Sequence, residues 1–101
     1  MDKKAMAVLR KAYAGKPVTA ARLTDLFRYY TEQAQEAQFQ LEAHVKNPSR
    51  IQDLGLGSCR DAETILCVMC IFGFIAEDKY AMELKKLDSM SSAIYDLFFK
   101  Q

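Results

Sequence analysis

Residues 18–48 read VTAARLTDLFRYYTEQAQEAQFQLEAHVKNP, and this stretch decides the fold. Thr19 offers its hydroxyl to a free backbone N–H at a helix start. Val18 and Leu23 occupy the N′ and N4 places of a hydrophobic staple. No helix breaker follows until Pro48, so the sequence predicts one long helix over about 19–46. His44 and Lys46 fall in its last turn, where positive charge suits the helix dipole. Asn47 fits the C′ place, and Pro48 prevents continuation. The predicted helix has roughly 27 residues and a length of about 40 Å.

Its apolar positions are Leu23, Phe27, Tyr30, Ala34, Ala37 and Leu41, in steps alternating four and three. That is a heptad a/d seam over about three heptads. Two of its members are Ala, so another helix has room to approach closely there. A helix this long outreaches a compact domain of this size, whose radius of gyration is about 13 Å. Either a second long helix of the chain lies along it, or another copy does. The seam is therefore also the candidate surface for self-association.

Working outward, Lys3 to Ala14 reads as a short helix with Asp2 as N-cap and a Met6, Leu9, Tyr13 stripe widened by Val8 and Ala12. Gly15 ends it, and Lys16 and Pro17 form a turn. Downstream, Pro48–Gly57 reads as a connection whose Ile51, Leu54 and Leu56 pack down, with Gly55 and Gly57 bracketing a turn. Ser58 and Asp61 match a capping box, predicting a third helix over about Cys59–Ala76. From Ile65 onward it is apolar all round, as a central buried element would be. A strand is the rival reading of this run, but its length and the capping box favour helix. The last segment, Glu77 to Phe99, carries Tyr80, Leu84, Leu87, Ser91, Ile94 and Phe98 at helical spacing. Ser91 is the lapse: either one helix runs through, or Ser89 caps a new one after a break or kink, which is the reading favoured here. The whole reads as one all-α domain over 1–101, a bundle of four helices, or five if Ser89 caps a new one.

Composition agrees. The 101 residues are 50% apolar and 27% charged, with only 4 Gly and 2 Pro for turns, which leans helical and away from disorder. The net charge of +1 argues against a dedicated nucleic-acid or membrane-surface binder. The charge is uneven, though: residues 1–30 balance at +5 and residues 61–101 at −3. No secretion signal is visible, and the twelve-residue apolar run Ile65–Ala76 is short of the roughly twenty that span a membrane. With three cysteines and no such signal, reduced thiols and a cytoplasmic location are expected.

The chemical motifs are weak. Cys67-Val68-Met69-Cys70 is a C-x-x-C placed in mid-helix among apolar residues, where burial raises a thiol pKa, whereas redox thiols sit at a helix start. The three Cys and His44 do not assemble a four-ligand zinc site within one helix, so the cysteines read as small core residues. His44, the only histidine, has no partner at triad spacing. Glu32 and Glu36 lack the Glu-x-x-His partners of bundle metal sites. Gly55 and Gly57 make only a bare G-x-G. No catalytic residue, metal or cofactor is expected, and the chain is not expected to be an enzyme.

Phe39 is the informative oddity. At about 100° per residue it lies opposite the seam, on the outer face with Asp25, Glu32, Glu36 and Ala43. It is either covered by the 48–57 connection or exposed for a partner. Tyr29, beside Arg28, is also off the seam and makes a Tyr/Arg pair of the kind enriched at binding hot spots. Arg28, Tyr29, Glu32, Glu36 and Phe39 are therefore the candidate partner-binding residues. The expected function is a non-enzymatic protein–protein interaction module, a small regulator, adaptor or inhibitor of a larger partner, with a homodimer through the seam as one arrangement. The alternative is a small nucleic-acid-binding regulator using the basic N-terminal half. No membrane partner is expected.

Overall fold

A computed structural model of the chain describes residues 18–101, and Ala7 before them. The expected short helix at 3–14 lies outside the described residues, Ala7 apart. Among the described residues the fold is all-α, with three helices and no strand: α1 (Ala20–Glu42), α2 (Pro48–Ile71) and α3 (Glu77–Phe99). They hold 23, 24 and 23 residues, so each is about 35 Å long. The long α1 is thus matched by two further helices of its own length within the chain. The helices run up, down and up, joined by connections at 43–47 and 72–76, and α1 packs more extensively on α2 than on α3.

The start of α1 follows the sequence: the Thr19 hydroxyl accepts from Arg22 N–H at 3.2 Å. Its end does not. The helix stops at Glu42, and His44 takes a left-handed conformation with φ of 57°. His44 and Lys46 therefore lie beyond the last turn, not in it. The chain turns at His44, whose N–H donates to the Leu41 carbonyl at 3.3 Å. Asn47 is not a terminator but the N-cap residue of α2, with Pro48 at its start, where a missing N–H costs nothing.

The expected connection at 48–57 is helical throughout, and α2 runs unbroken through Gly55, Gly57, Ser58 and Asp61. The Ser58–Asp61 capping box is overturned, since a capping pair has no free N–H to satisfy in mid-helix. A packing reason holds Gly55 inside a helix. A Cβ placed there would stand 2.8 Å from the Ala37 Cβ and 3.0 Å from Ile94 Cδ1. Gly55 and Ala37 thus let α1 and α2 approach closely at the level of α3's Ile94. The close approach expected at the seam alanines occurs here, within the chain.

At its other end α2 stops at Ile71, five residues before the expected limit. Gly73, at φ of +74°, closes it in a Schellman motif: Gly73 N–H donates to Cys70 O at 3.0 Å and Phe74 N–H to Met69 O at 2.8 Å. The expected break at Ser89 is absent, and α3 is one helix through Asp88–Ser92. Ser91 sits half-buried on the inner stripe, where its hydroxyl lowers the pKa of the buried Cys59 thiol of α2.

Three contiguous clusters form the core. Leu23 packs with Ile65, Val68 and Met69 at the pole where α1 begins. Ala62, Leu66 and Leu87 fill the middle, with Phe27 and Tyr30 against them. Ala34, Leu41, Cys59 and Ile94 fill the far pole. All six seam residues thus pack against the chain's own α2 and α3. At the far pole the Gln101 side-chain amide donates to Leu41 O at 2.8 Å and Leu97 O at 2.9 Å, tying the ends of α1 and α3 together.

Candidate functional site

With the seam turned inward, the opposite face of α1 is presented to solvent. Arg28, Tyr29, Glu32, Glu36 and Phe39 are all exposed on it. Helical spacing places them within an arc of about 100°. Phe39 is 67% exposed, so the segment at 48–57, being helical, does not cover it. Tyr29 is 54% exposed and meets Tyr30 edge to face, with ring centroids 5.4 Å apart. Tyr30 belongs to the inward stripe. Its phenol pKa is raised, first by burial and then by the negative charge of Asp61 and by Tyr29.

The charges of this face are held locally. Arg28 Nη1 lies 3.6 Å from Asp25 Oδ1, with both side chains well exposed, a geometry that contributes little to stability. Gln40 Nε2 donates to Glu36 Oε1 at 3.2 Å. The face is therefore a pre-arranged mixed surface with an aromatic ring standing clear of it.

Two grooves border the face. Arg28 and Glu32 stand on the rim of a cavity of about 470 Å³ between α1 and α3. Its floor is Phe27, Leu66, Met69 and Ile75, and Thr24, Thr31, Gln35, Lys79 and Glu83 complete its walls. On the other side, Glu36 borders a shallow furrow of about 90 Å³ against Ile51, Leu54 and Ser58 of α2. The five residues share one face, but Arg28 and Glu32 border one groove and Glu36 the other, a division that helical spacing alone does not show.

The cysteines are free. Only Cys59 is buried. Its thiol pKa is raised by burial, opposed by the Ser91 hydrogen bond and supported by Glu63. Cys67 and Cys70 are half-buried rather than core residues. Cys67 lies with Arg60, Glu63, Tyr80 and Asp88 on an open groove between α2 and α3. The Tyr80 phenol is pushed up by burial first, then by Cys67, Cys70 and Glu63. No group of three or more His, Cys, Asp or Glu among the described residues is placed to hold a metal ion. Among the described residues, no helix is long and apolar enough to cross a membrane.

Further exposed apolar residues escaped the sequence reading. Ile71, expected in a buried run, is 55% exposed beside Phe72 and Phe74. Leu54, expected to pack down, and Tyr95 are also exposed. The apolar character of 65–76 gave no sign of where the helix would stop, so the exposed end was invisible. Phe99 is 77% exposed.

Comparison of the chain with protein families, characterised proteins and solved structures finds no match. The class that the fold and face define is an antiparallel all-α protein with an aromatic, mixed-charge outer helix face.

Proposed function

We propose that the chain is a non-enzymatic protein-binding module that acts stoichiometrically on a larger partner through the outer face of α1. The observation that carries this reading is Phe39, a large aromatic 67% exposed in the last turn of α1, on the same face as Glu36, Glu32 and Arg28. Aromatic and Arg side chains supply most binding energy at protein interfaces, and surrounding polar groups exclude water. The chemistry asks for a partner with an apolar pocket for the Phe39 ring and a rim carrying both charges. As a regulator, adaptor or inhibitor it would work by masking or scaffolding that partner. For the whole chain we propose four helices, with residues 3–14 supplying the fourth from their Met6, Leu9 and Tyr13 stripe.

The test is quantitative capture by the purified, immobilised chain. Wild type, Phe39→Ala with Tyr29→Ala, and the control Met82→Ala, exposed on α3, are compared for the proteins each retains. The reading expects a set lost with the double variant and kept by the control, with unfolding free energy unchanged to within about 0.5 kcal/mol. Equal retention by all three would remove the face from the account. Binding to duplex DNA or RNA that falls steeply with salt would favour the nucleic-acid reading instead.

A further inference from the structure

Cys67 and Cys70 are half-buried near the end of α2, which stops at Ile71. We propose that these two thiols form a site for a trivalent arsenical carrying one organic group, with the arsenic bridging Cys67 Sγ and Cys70 Sγ. This goes beyond the protein-binding reading and does not depend on it.

Helical register brings the thiols together. Residues three apart in a helix are neighbours, with Cβ atoms about 5–6 Å apart. Cys67 lines the groove between α2 and α3, and both thiols act electrostatically on the Tyr80 hydroxyl of α3. Both therefore lie toward the same side of α2. The turn that carries them is held by its backbone. Phe72 N–H donates to Val68 O at 2.9 Å, and the Schellman bonds onto Cys70 O and Met69 O close the helix behind it.

That spacing selects the bridging chemistry. A disulfide needs Cβ atoms about 3.5–4.5 Å apart, so a direct S–S bond would require the last turn to open. One atom between the sulfurs adds a second bond length and removes that demand. The atom must be thiophilic. It must also be content with two protein ligands, because no group of three or more His, Cys, Asp or Glu among the described residues is placed to hold a metal ion. Charge narrows the choice further. The groove beside Cys67 carries Arg60 against Glu63 and Asp88, an excess of negative charge. A bis-thiolate complex of a soft monovalent ion is anionic and is disfavoured there. With R–As(OH)2 the product is neutral. Two As–O and two S–H bonds break, two As–S and two O–H bonds form, and two waters leave with arsenic still trivalent. The groove, of about 470 Å³, offers Leu84 and the Tyr80 ring to the organic group. Cys59 does not compete, being 2% exposed.

Phenylarsine oxide is the probe, added to the folded full chain and followed by intact-mass spectrometry. The expected result is one adduct per chain that survives excess mercaptoethanol and is removed by dithiothreitol. The second As–S bond forms within the molecule, at high effective concentration, and a monothiol cannot match it. Cys67→Ser and Cys70→Ser should each abolish the resistant adduct, and Cys59→Ala should keep it. Iodoacetamide footprinting of the wild type reads the same site without substitution, since the adduct should block alkylation at Cys67 and Cys70 together. No adduct on the folded chain, an adduct that mercaptoethanol strips, or one that persists in either serine variant would overturn the proposal. So would a footprint that protects only one of the two cysteines.

Discussion

Gly55 and Gly57 sit two positions apart in one helix and should answer the same substitution in opposite directions. In a helix interior Gly is less favourable than Ala by about 1 kcal/mol. At Gly57 nothing lies within 4 Å of an added Cβ, so Gly57→Ala should stabilise by roughly 0.5–1 kcal/mol. At Gly55 the new methyl meets the Ala37 Cβ at 2.8 Å. Neither carbon has a rotamer to escape into, so α1 and α2 must part. Overpacking of that kind costs about 1–3 kcal/mol, which exceeds the helix gain. Urea unfolding of the two variants should show midpoints shifted to either side of wild type. A higher midpoint for Gly55→Ala would mean that the helices separate freely there. His44 is a third residue whose backbone overrides its side chain. At φ of 57° it carries a Cβ where glycine carries none, so His44→Gly should raise stability by roughly 1 kcal/mol. That is a rise of about 4–8 °C in melting temperature for a domain of this size.

At the scale of elements, what was legible depended on whether the signal was local. The start of α1 was legible because a Thr cap and its N–H partner lie three residues apart. The seam was legible because periodicity survives in any helix, and the six positions from Leu23 to Leu41 do face inward. The outer face followed from the same arithmetic. The 48–57 region was misread because Pro and two glycines are turn residues on average. Here the proline opens a helix, and Gly55 is fixed by a contact with Ala37 and Ile94 that sequence spacing does not reveal. Ser91 was misread similarly, since its partner Cys59 lies on another helix. The cavity between α1 and α3 had no local signal at all. The Gln101 clasp is likewise non-local, and it gives a test at this scale. Gln101→Ala removes two hydrogen bonds, 2.8 and 2.9 Å long. It should lower stability by about 0.5–1.5 kcal/mol and speed amide exchange in the last turns of α1 and α3 while leaving α2 unaffected.

For the molecule as a whole, one buried and two half-buried titrating groups set an alkaline limit. Cys59, Tyr30 and Tyr80 all hold their protons more tightly when folded than at their ordinary values of 9.0 for the thiol and 10.0 for the phenols. A raised pKa means the folded state favours the protonated form. The associated stability is therefore complete below pH 9 and is lost as pH climbs through the folded values. The urea midpoint should stay level from neutrality to about pH 9 and then fall. Cys59→Ala should delay the first part of that fall, and an unchanged pH profile would clear the thiol of any share in it. The up-down-up arrangement has a kinetic consequence as well. Connections of only five residues join consecutive helices, so α1 meets α2, and α2 meets α3, at short sequence separation. Chains whose contacts are this local cross their folding barrier in microseconds to milliseconds. Rapid-mixing refolding of this protein should accordingly be complete within a few milliseconds, which leaves the apolar faces of α1, α2 and α3 little time to find another molecule before they find one another.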